Sequence, residues 1–300
     1  MREAVLAVDV GGTRIKAAWL DRDIRSLAAW TVPTPVGRTV DETVDAIIAV
    51  VGEEAVQPPE GIRPLAIGVA VPGLVDEERG VAIYSENLGW HDRDFERLLA
   101  ARTGLPVALS QDVRAGARAE ALDGAAADVT SALFVPIGTG IGGAVILDGE
   151  VRSGPNNRAG ELGHVRVGAE NDACLCGQRG CLEAIASAVA IARQYRERTG
   201  VALDAAGVVD RAQQGDSDAQ AVWARATDAL ASVLSGADAL LDLEAVVLGG
   251  GVALAGDFLV EPVKAGLAAL GSPHVAVLTA RHGDRAGCRG AGLRAWAAVR

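Results

Sequence analysis

Three of the chain's four cysteines, Cys174, Cys176 and Cys181, fall in one short stretch, with His164 just upstream and Gly177 and Gly180 able to turn the backbone between them. Thiolate sulfur and imidazole nitrogen suit zinc, and three cysteines with one histidine complete a tetrahedron that leaves no position for a reactive water. The expectation is a structural Zn²⁺ held by His164, Cys174, Cys176 and Cys181. Two other readings compete with it, a disulfide knot and a chance cluster of buried thiols. Cys174 and Cys176 are too close for an easy mutual bridge, and nothing else in the sequence suggests export. The same segment carries Glu161 and Glu183, so a metal-fixed loop would present two carboxylates and an imidazole to a ligand. Cys288 stands alone among small residues and reads as a packing cysteine.

A second chemistry lies in the glycine turns. Backbone amides approach phosphate oxygens closely only where no side chain intervenes. Asp9 is followed by Gly11-Gly12-Thr13, a later strand by Gly138-Thr139-Gly140-Ile141-Gly142-Gly143, and a third by Gly249-Gly250-Gly251. Any one of these alone is more often an ordinary hairpin bend. Two in corresponding places, with Asp9 and the third glycine run, favour a two-jawed phosphate clamp. None precedes Gly-Lys-Ser or Gly-Lys-Thr, so this is not a Walker loop. Asp112 sits between a strand and a helix, where it could be a plain N-cap or a carboxylate poised to accept a hydroxyl proton.

The elements that must position these residues follow from hydrophobic periodicity. Apolar strands are expected over 4–10, 15–20, 65–71, 106–110 and 245–248, and helices over about 39–51, 92–103, 185–198, 217–240 and 291–299, with an alanine-rich helix after Asp112. A second strand, glycine turn and strand begins near Thr130 and repeats the opening theme, which suggests a duplicated fold of two facing halves. The uncharged run 129–147 is nearly long enough to cross a bilayer, but its glycines and Pro136 fit strand, turn and strand better. Half the residues are hydrophobic and only 3% aromatic, so small aliphatic side chains must fill the core. A net charge of −11 with no basic run gives no footprint for nucleic acid. Met1 leads almost directly into a strand, leaving no room for a signal peptide, so a cytoplasmic protein is expected.

Taken together, Asp9-Val-Gly-Gly-Thr13, Gly138-Thr-Gly-Ile-Gly-Gly143, Ala159-Gly-Glu-Leu-Gly-His164 and Cys174-Leu-Cys-Gly-Gln-Arg-Gly-Cys-Leu-Glu183 resemble the ROK family of sugar kinases and repressors from end to end. The resemblance implies an actin-like, ribonuclease-H-like α/β fold. A smaller domain would cover 1–116, completed by the C-terminal helix 289–300. A larger one would cover 117–288 and carry the zinc site and dimer-forming helices, with ATP and a hexose meeting in the cleft between the two. It implies ATP-dependent phosphorylation of a primary hydroxyl on a hexose or hexose-like ring, such as glucose, an aminohexose or a cyclitol, with Asp112 as general base and Mg²⁺ bridging the phosphates near Asp9. Asp9, Gly11, Gly12, Thr13, Gly138, Thr139, Gly140, Gly249, Gly250 and Gly251 would hold the nucleotide. Asn87, Gln111, Asp112, Glu161, His164 and Glu183 would line the sugar pocket. A homodimer or tetramer without nucleic-acid or membrane partners is implied. The alternatives are a sugar-sensing regulator, a non-catalytic sugar-binding protein, and polyphosphate as donor.

The chain departs from the family pattern beside the catalytic aspartate. Relatives usually place Asn before it, touching the sugar, where this chain has Gln111. The extra methylene moves the amide by about 1.5 Å. Arg114, Gly116 and Arg118 replace residues that are commonly small or polar, and Ala144 stands where many relatives have glycine.

Overall fold

The computed structural model describes residues 1–35, 37, 39–167 and 172–299. The chain divides into two compact units, one of residues 1–119, 154–158 and 284–300 and one of residues 120–153 and 159–283.

The first unit is built on β1 (Arg2–Val10), β2 (Arg14–Leu20), β3 (Ser26–Pro33), β4 (Ile62–Val71) and β8 (Val107–Gln111), in the order β3-β2-β1-β4-β8. β1 to β3 are antiparallel, whereas β1, β4 and β8 run parallel. Strands this apolar, such as Ala4–Val8, must be covered on both faces. One face packs under α1 (Val40–Val56) and α2 (Phe95–Thr103), with Ile47, Val51, Trp90, Phe95 and Leu99 in the core. The Thr39 hydroxyl starts α1 by accepting from the Glu42 amide, which satisfies one orphan donor of the first turn. The other face is closed by α9 (Ala286–Ala298), packed on β1, β4 and β8. Small residues permit that closeness. A Cβ on Gly290 would lie 1.8 Å from the Ala115 carbonyl of α3 (Asp112–Asp123). Three short strands, β5 (Leu74–Asp76), β6 (Val81–Tyr84) and β7 (His91–Asp94), form a small separate sheet.

The second unit repeats the plan. β9 (Ser131–Pro136), β10 (Ala144–Leu147), β11 (Glu150–Arg152), β12 (Ala245–Gly249) and β13 (Ala276–Thr279) lie in the order β11-β10-β9-β12-β13, with the same alternation of antiparallel and parallel pairs. In each unit the first strand is central, the hairpin extends to one side and later strands add in parallel on the other. This is the duplication that the repeated glycine turns predict. Helices α4 (Glu183–Ala186), α5 (Ala188–Thr199), α6 (Ala205–Gln213), α7 (Ser217–Leu241) and α8 (Asp257–Ala269) supply the rest of the layer, with α7 touching each of the other four. Asp216 caps α7 by accepting from the Asp218 and Ala219 amides.

Several expected boundaries move. The helix expected over 185–198 is broken at Ser187, whose hydroxyl caps a new start at α5. Residues 92–94 belong to β7, and helix α2 begins only at Phe95. The final helix starts five residues earlier than its apolar run, at Ala286. The uncharged run 129–147 is strand, turn and strand, and among the described residues no helix is long and apolar enough to cross a membrane.

Candidate functional site

In the first unit, Asp9 and Gln111-Asp112 stand at the carboxyl ends of parallel strands. Asp9 is in register with Ala70 of β4, and Ala70 with Ser110 of β8. The strands β1 and β8 are thus two spacings apart, roughly 10 Å. The carboxyl edge of an open parallel sheet is where α/β proteins bind ligands. Asp9 pairs across the hairpin with Lys16. Lys16 Nζ donates to the Asp284 carbonyl at 2.9 Å and lies 3.5 Å from Asp284 Oδ2. Gly287 of α9 faces the same carboxylate, and a Cβ there would meet Asp9 Cγ at 2.8 Å.

The electrostatics of the two aspartates are linked. Burial pushes Asp9 up to about 6, with Lys16 opposing the shift and Asp284 adding to it. Burial, followed by the charge of Asp9, pushes Asp112 up to about 7, against the Val113 amide and the Arg114 charge. A cation beside either carboxylate would favour its charged form. Between β1 and β2, Gly11, Gly12 and Thr13 form the turn, closed by the Gly11 amide donating to the Arg14 carbonyl at 2.9 Å. Thr34 holds it from outside by donating to the Gly11 carbonyl at 2.6 Å, and Gly12 and Thr13 are exposed. Asn87 is exposed on the turn between β6 and β7, which is closed by the Ser85 and Gly89 amides.

Asp112 is not a capping residue. The cap of α3 is made by Gln111, whose Oε1 accepts from the Arg114 amide at 2.8 Å, while its Nε2 donates to Asp112 Oδ1 at 2.8 Å. Sequence reasoning missed the buried Glu77 behind it. Glu77 Oε1 accepts from the Gln111 amide and from Arg114 Nε, and both its oxygens accept from Arg118. Burial alone would raise Glu77, but the Arg118 and Arg114 guanidiniums outweigh it and hold the carboxyl down at about 2. In the sequence Glu77 belongs to an acidic run, Asp76-Glu77-Glu78, that reads as solvated. The unusual arginines at 114 and 118 were the available signal that an inner carboxylate had to exist.

In the second unit, His164, Cys174, Cys176 and Cys181 come together with their ligand atoms all within 4.8 Å of one another. Cys174 Sγ is 3.8 Å from His164 Nδ1, and Cys176 and Cys181 sulfurs are 3.7 Å apart. Zn–S bonds of about 2.3 Å at the tetrahedral angle place sulfurs about 3.8 Å apart, so the set fits zinc. Burial, then the neighbouring sulfurs, push the Cys181 thiol up to about 12. Thiolates this close ionise together only around a cation. Gly177 and Gly180, at φ +83° and +75°, make turns that a side chain would strain. Asp172 anchors the loop, accepting from Arg193 of α5 and Arg225 of α7 while its carbonyl accepts from the Gly180 amide.

His164 directs Nε2 toward Glu161 Oε2, 3.9 Å away, so the histidine has one nitrogen for the sulfurs and the other for an exposed carboxylate. Glu183 joins the cysteine loop to the second glycine turn. Its Oε2 accepts from the Ile141 amide at 2.9 Å, and its Oε1 lies 3.9 Å from Cys174 Sγ. The turn Gly138, Thr139, Gly140 is closed by the Gly138 amide donating to the Gly140 carbonyl. Gly249, Gly250 and Gly251 lie beside it, through the Ile137 amide on the Gly249 carbonyl at 2.9 Å and the Val252 amide on the Ile137 carbonyl at 3.0 Å. Three separate stretches of sequence, the two glycine runs and Glu183, therefore meet in this unit.

Comparison with known proteins gives the family and the fold. The model of the ROK family matches residues 5–297. The N-acetylmannosamine kinase of Escherichia coli O1:K1 is 35% identical over 295 residues, covering 97% of each chain. The glucokinase of Thermotoga maritima is 33% identical over 275 residues, 87% of this chain and 86% of its own. Among solved structures, the ROK family glucokinase of Streptomyces griseus in complex with glucose and AMPPNP superposes with a TM-score of 0.84 at 29% identity, covering 98% of this chain and 99% of its own.

Proposed function

The chain belongs to the ROK family, with its actin-like α/β fold, and we propose that it is an ATP-dependent kinase phosphorylating a primary hydroxyl of a hexose or hexose-like ring, with Asp112 as general base. The observation that carries this reading is the Asp112 carboxylate, half-buried at the carboxyl edge of the parallel sheet and pushed up to about 7. A sugar hydroxyl is a weak nucleophile, and a base is most effective when its pKa lies near the working pH.

In the proposed step the hydroxyl oxygen forms a bond to the γ-phosphorus, its proton passes to Asp112, and the bond from the γ-phosphorus to the bridging oxygen breaks to release ADP. The turns Gly11, Gly12, Thr13 and Gly138, Thr139, Gly140 offer backbone amides to the phosphates, and Gly249 to Gly251 border the nucleoside. Asp9 would stand beside Mg²⁺, which when bound would neutralise charge on the phosphates. His164 Nε2–H and the Glu161 carboxylate read ring hydroxyls, as does Asn87. Glu183 acts from behind by fixing the second glycine turn. His164, Cys174, Cys176 and Cys181 would hold a zinc ion, which when bound would fix the loop and the histidine tautomer. The acceptors that fit the named relatives are glucose and N-acetylated aminohexoses, with cyclitols as the further class. The reading carries a homodimer as the assembly.

Coupled ADP release over hexoses, aminohexoses, N-acetylhexosamines and cyclitols, with ATP and with polyphosphate, tests the proposal. At least one ring should turn over with ATP, and Asp112→Asn should lower kcat by about 100-fold or more while sugar and nucleotide still bind. Unchanged turnover removes Asp112 from its role. Binding of sugar without turnover of any ring leaves a sugar-binding protein.

A further inference from the structure

Resting on the phosphoryl-transfer reading of Asp112, we infer that Gln111 is a positioning residue for the base and not a reader of the sugar. The orientation of its amide follows from its neighbours. The Arg114 backbone N–H can only donate, so the Gln111 oxygen must face it, at 2.8 Å. The NH₂ end is then directed at Asp112 Oδ1, also at 2.8 Å. The Val113 amide donates to that same oxygen at 2.8 Å. With Oδ1 holding two donors, the carboxylate cannot rotate without breaking both, and the incoming proton falls to Oδ2.

Gln111 is itself fixed from behind. Its backbone amide donates to Glu77 Oε1 at 3.0 Å, the same oxygen that accepts from Arg114 Nε at 2.9 Å. Arg114 in turn donates to the Val75 carbonyl at 2.7 Å and the Asn157 carbonyl at 3.2 Å, so the clamp is tied to β5 and to residues 154–158. Glu77, Arg114 and Arg118 thus form one charged anchor, only partly exposed at Arg118, and the Gln111 backbone amide is tied to it through Glu77. An asparagine here would be shorter by one methylene, about 1.5 Å, and would present its amide to the Arg114 amide and to Asp112 with a different reach. The glutamine and the two arginines that depart from the family pattern belong to one device.

The consequence is kinetic. A residue that orients the base acts on the chemical step, whereas a residue that reads the sugar acts on its binding. Gln111→Met keeps the length and removes both polar ends. Gln111→Glu keeps an oxygen for the Arg114 amide, and so the helix cap, but sets an anionic oxygen against Asp112. We expect kcat to fall about 10-fold in Gln111→Met and further in Gln111→Glu, with sugar KM within about twofold of wild type in both. A sugar KM raised about 10-fold with kcat unchanged, or wild-type kcat in Gln111→Glu, would overturn the inference. The contact is also read without turnover, by NMR of the Gln111 side-chain amide protons, identified through their loss in Gln111→Met. They should shift when Asp112 is replaced by alanine. An unmoved resonance refutes the pairing whatever the activity. A shifted resonance in a protein that phosphorylates no sugar leaves the pairing intact and refutes the kinase reading instead.

Discussion

Two carboxylates within the first unit are held in a state that free aspartates do not share. Asp112 is pushed to about 7 and Asp9 to about 6, by burial first in each case. A base must be deprotonated to act, so kcat/KM should fall as the pH is lowered through about 7, and a pH series of initial rates measures this. The same shifts have a cost to stability. The folded state keeps protons that the unfolded chain releases near pH 4, so these groups weaken the fold increasingly as pH rises from about 4 through 7. Asp112→Asn should therefore raise the unfolding temperature by about 3 °C at pH 8 and leave it unchanged at pH 4, by thermal melts at both. At this scale the sequence was legible where chemistry is written in residue type. Cysteines and a histidine at metal-binding spacing are rare by chance, and the structure brings them together. It was illegible where a role depends on which way a side chain turns. Gln111, and not Asp112, caps the helix by accepting from the Arg114 amide, and Glu77 looks like a solvated charge until its two arginines are seen.

The cysteine cluster shows how segments without regular structure are tied together. Residues 164–167 and 180–182 pair through the Val167 amide on the Gly180 carbonyl and the Leu182 amide on the Val165 carbonyl. Asp172 then ties the loop to α5 and α7 through Arg193 and Arg225. Asp172 is buried while Arg225 is substantially exposed, so solvent screens part of the pair. Asp172→Asn should lower stability by about 1–3 kcal/mol in chemical denaturation. Treatment with a chelator should release one equivalent of zinc per chain, measured by metal analysis. On the proposed reading, in which His164 and Glu161 bind sugar and Asp112 is the base, it should also raise sugar KM more than it lowers kcat. Long periodic helices such as α1 and α7 were readable from spacing alone. The edge strands β3 and β13, the small sheet β5 to β7, and helices α6 and α8 were not. The strands are only partly buried, so polar positions facing water dilute their apolar alternation, whereas α6 is only 9 residues long and α8 carries Pro262, which reads as a breaker.

At the scale of the chain, the two sheets share one order of strands, and this was visible in advance only through the repeated glycine turns. The close approach of helix to sheet was not, because it depends on missing side chains. Gly290→Val should force α9 away from α3 and destabilise the protein by about 3 kcal/mol or more, read from denaturant midpoints. The same helix has a further consequence in time. Helix α9 covers a face that β1 opens, yet the two lie at opposite ends of the chain, with the rest of the first unit and all of the second between them. At synthesis rates of about 5–20 residues per second, the ribosome spends on the order of 15–60 s between them. During that interval the nascent β1, β4 and β8 expose apolar surface that nothing yet shields, while residues 159–283 can collapse upon themselves. Catalytic competence is thus acquired late, when α9 arrives to set Gly287 against Asp9, and a chain cut short before that helix is a client for chaperones rather than a weaker enzyme.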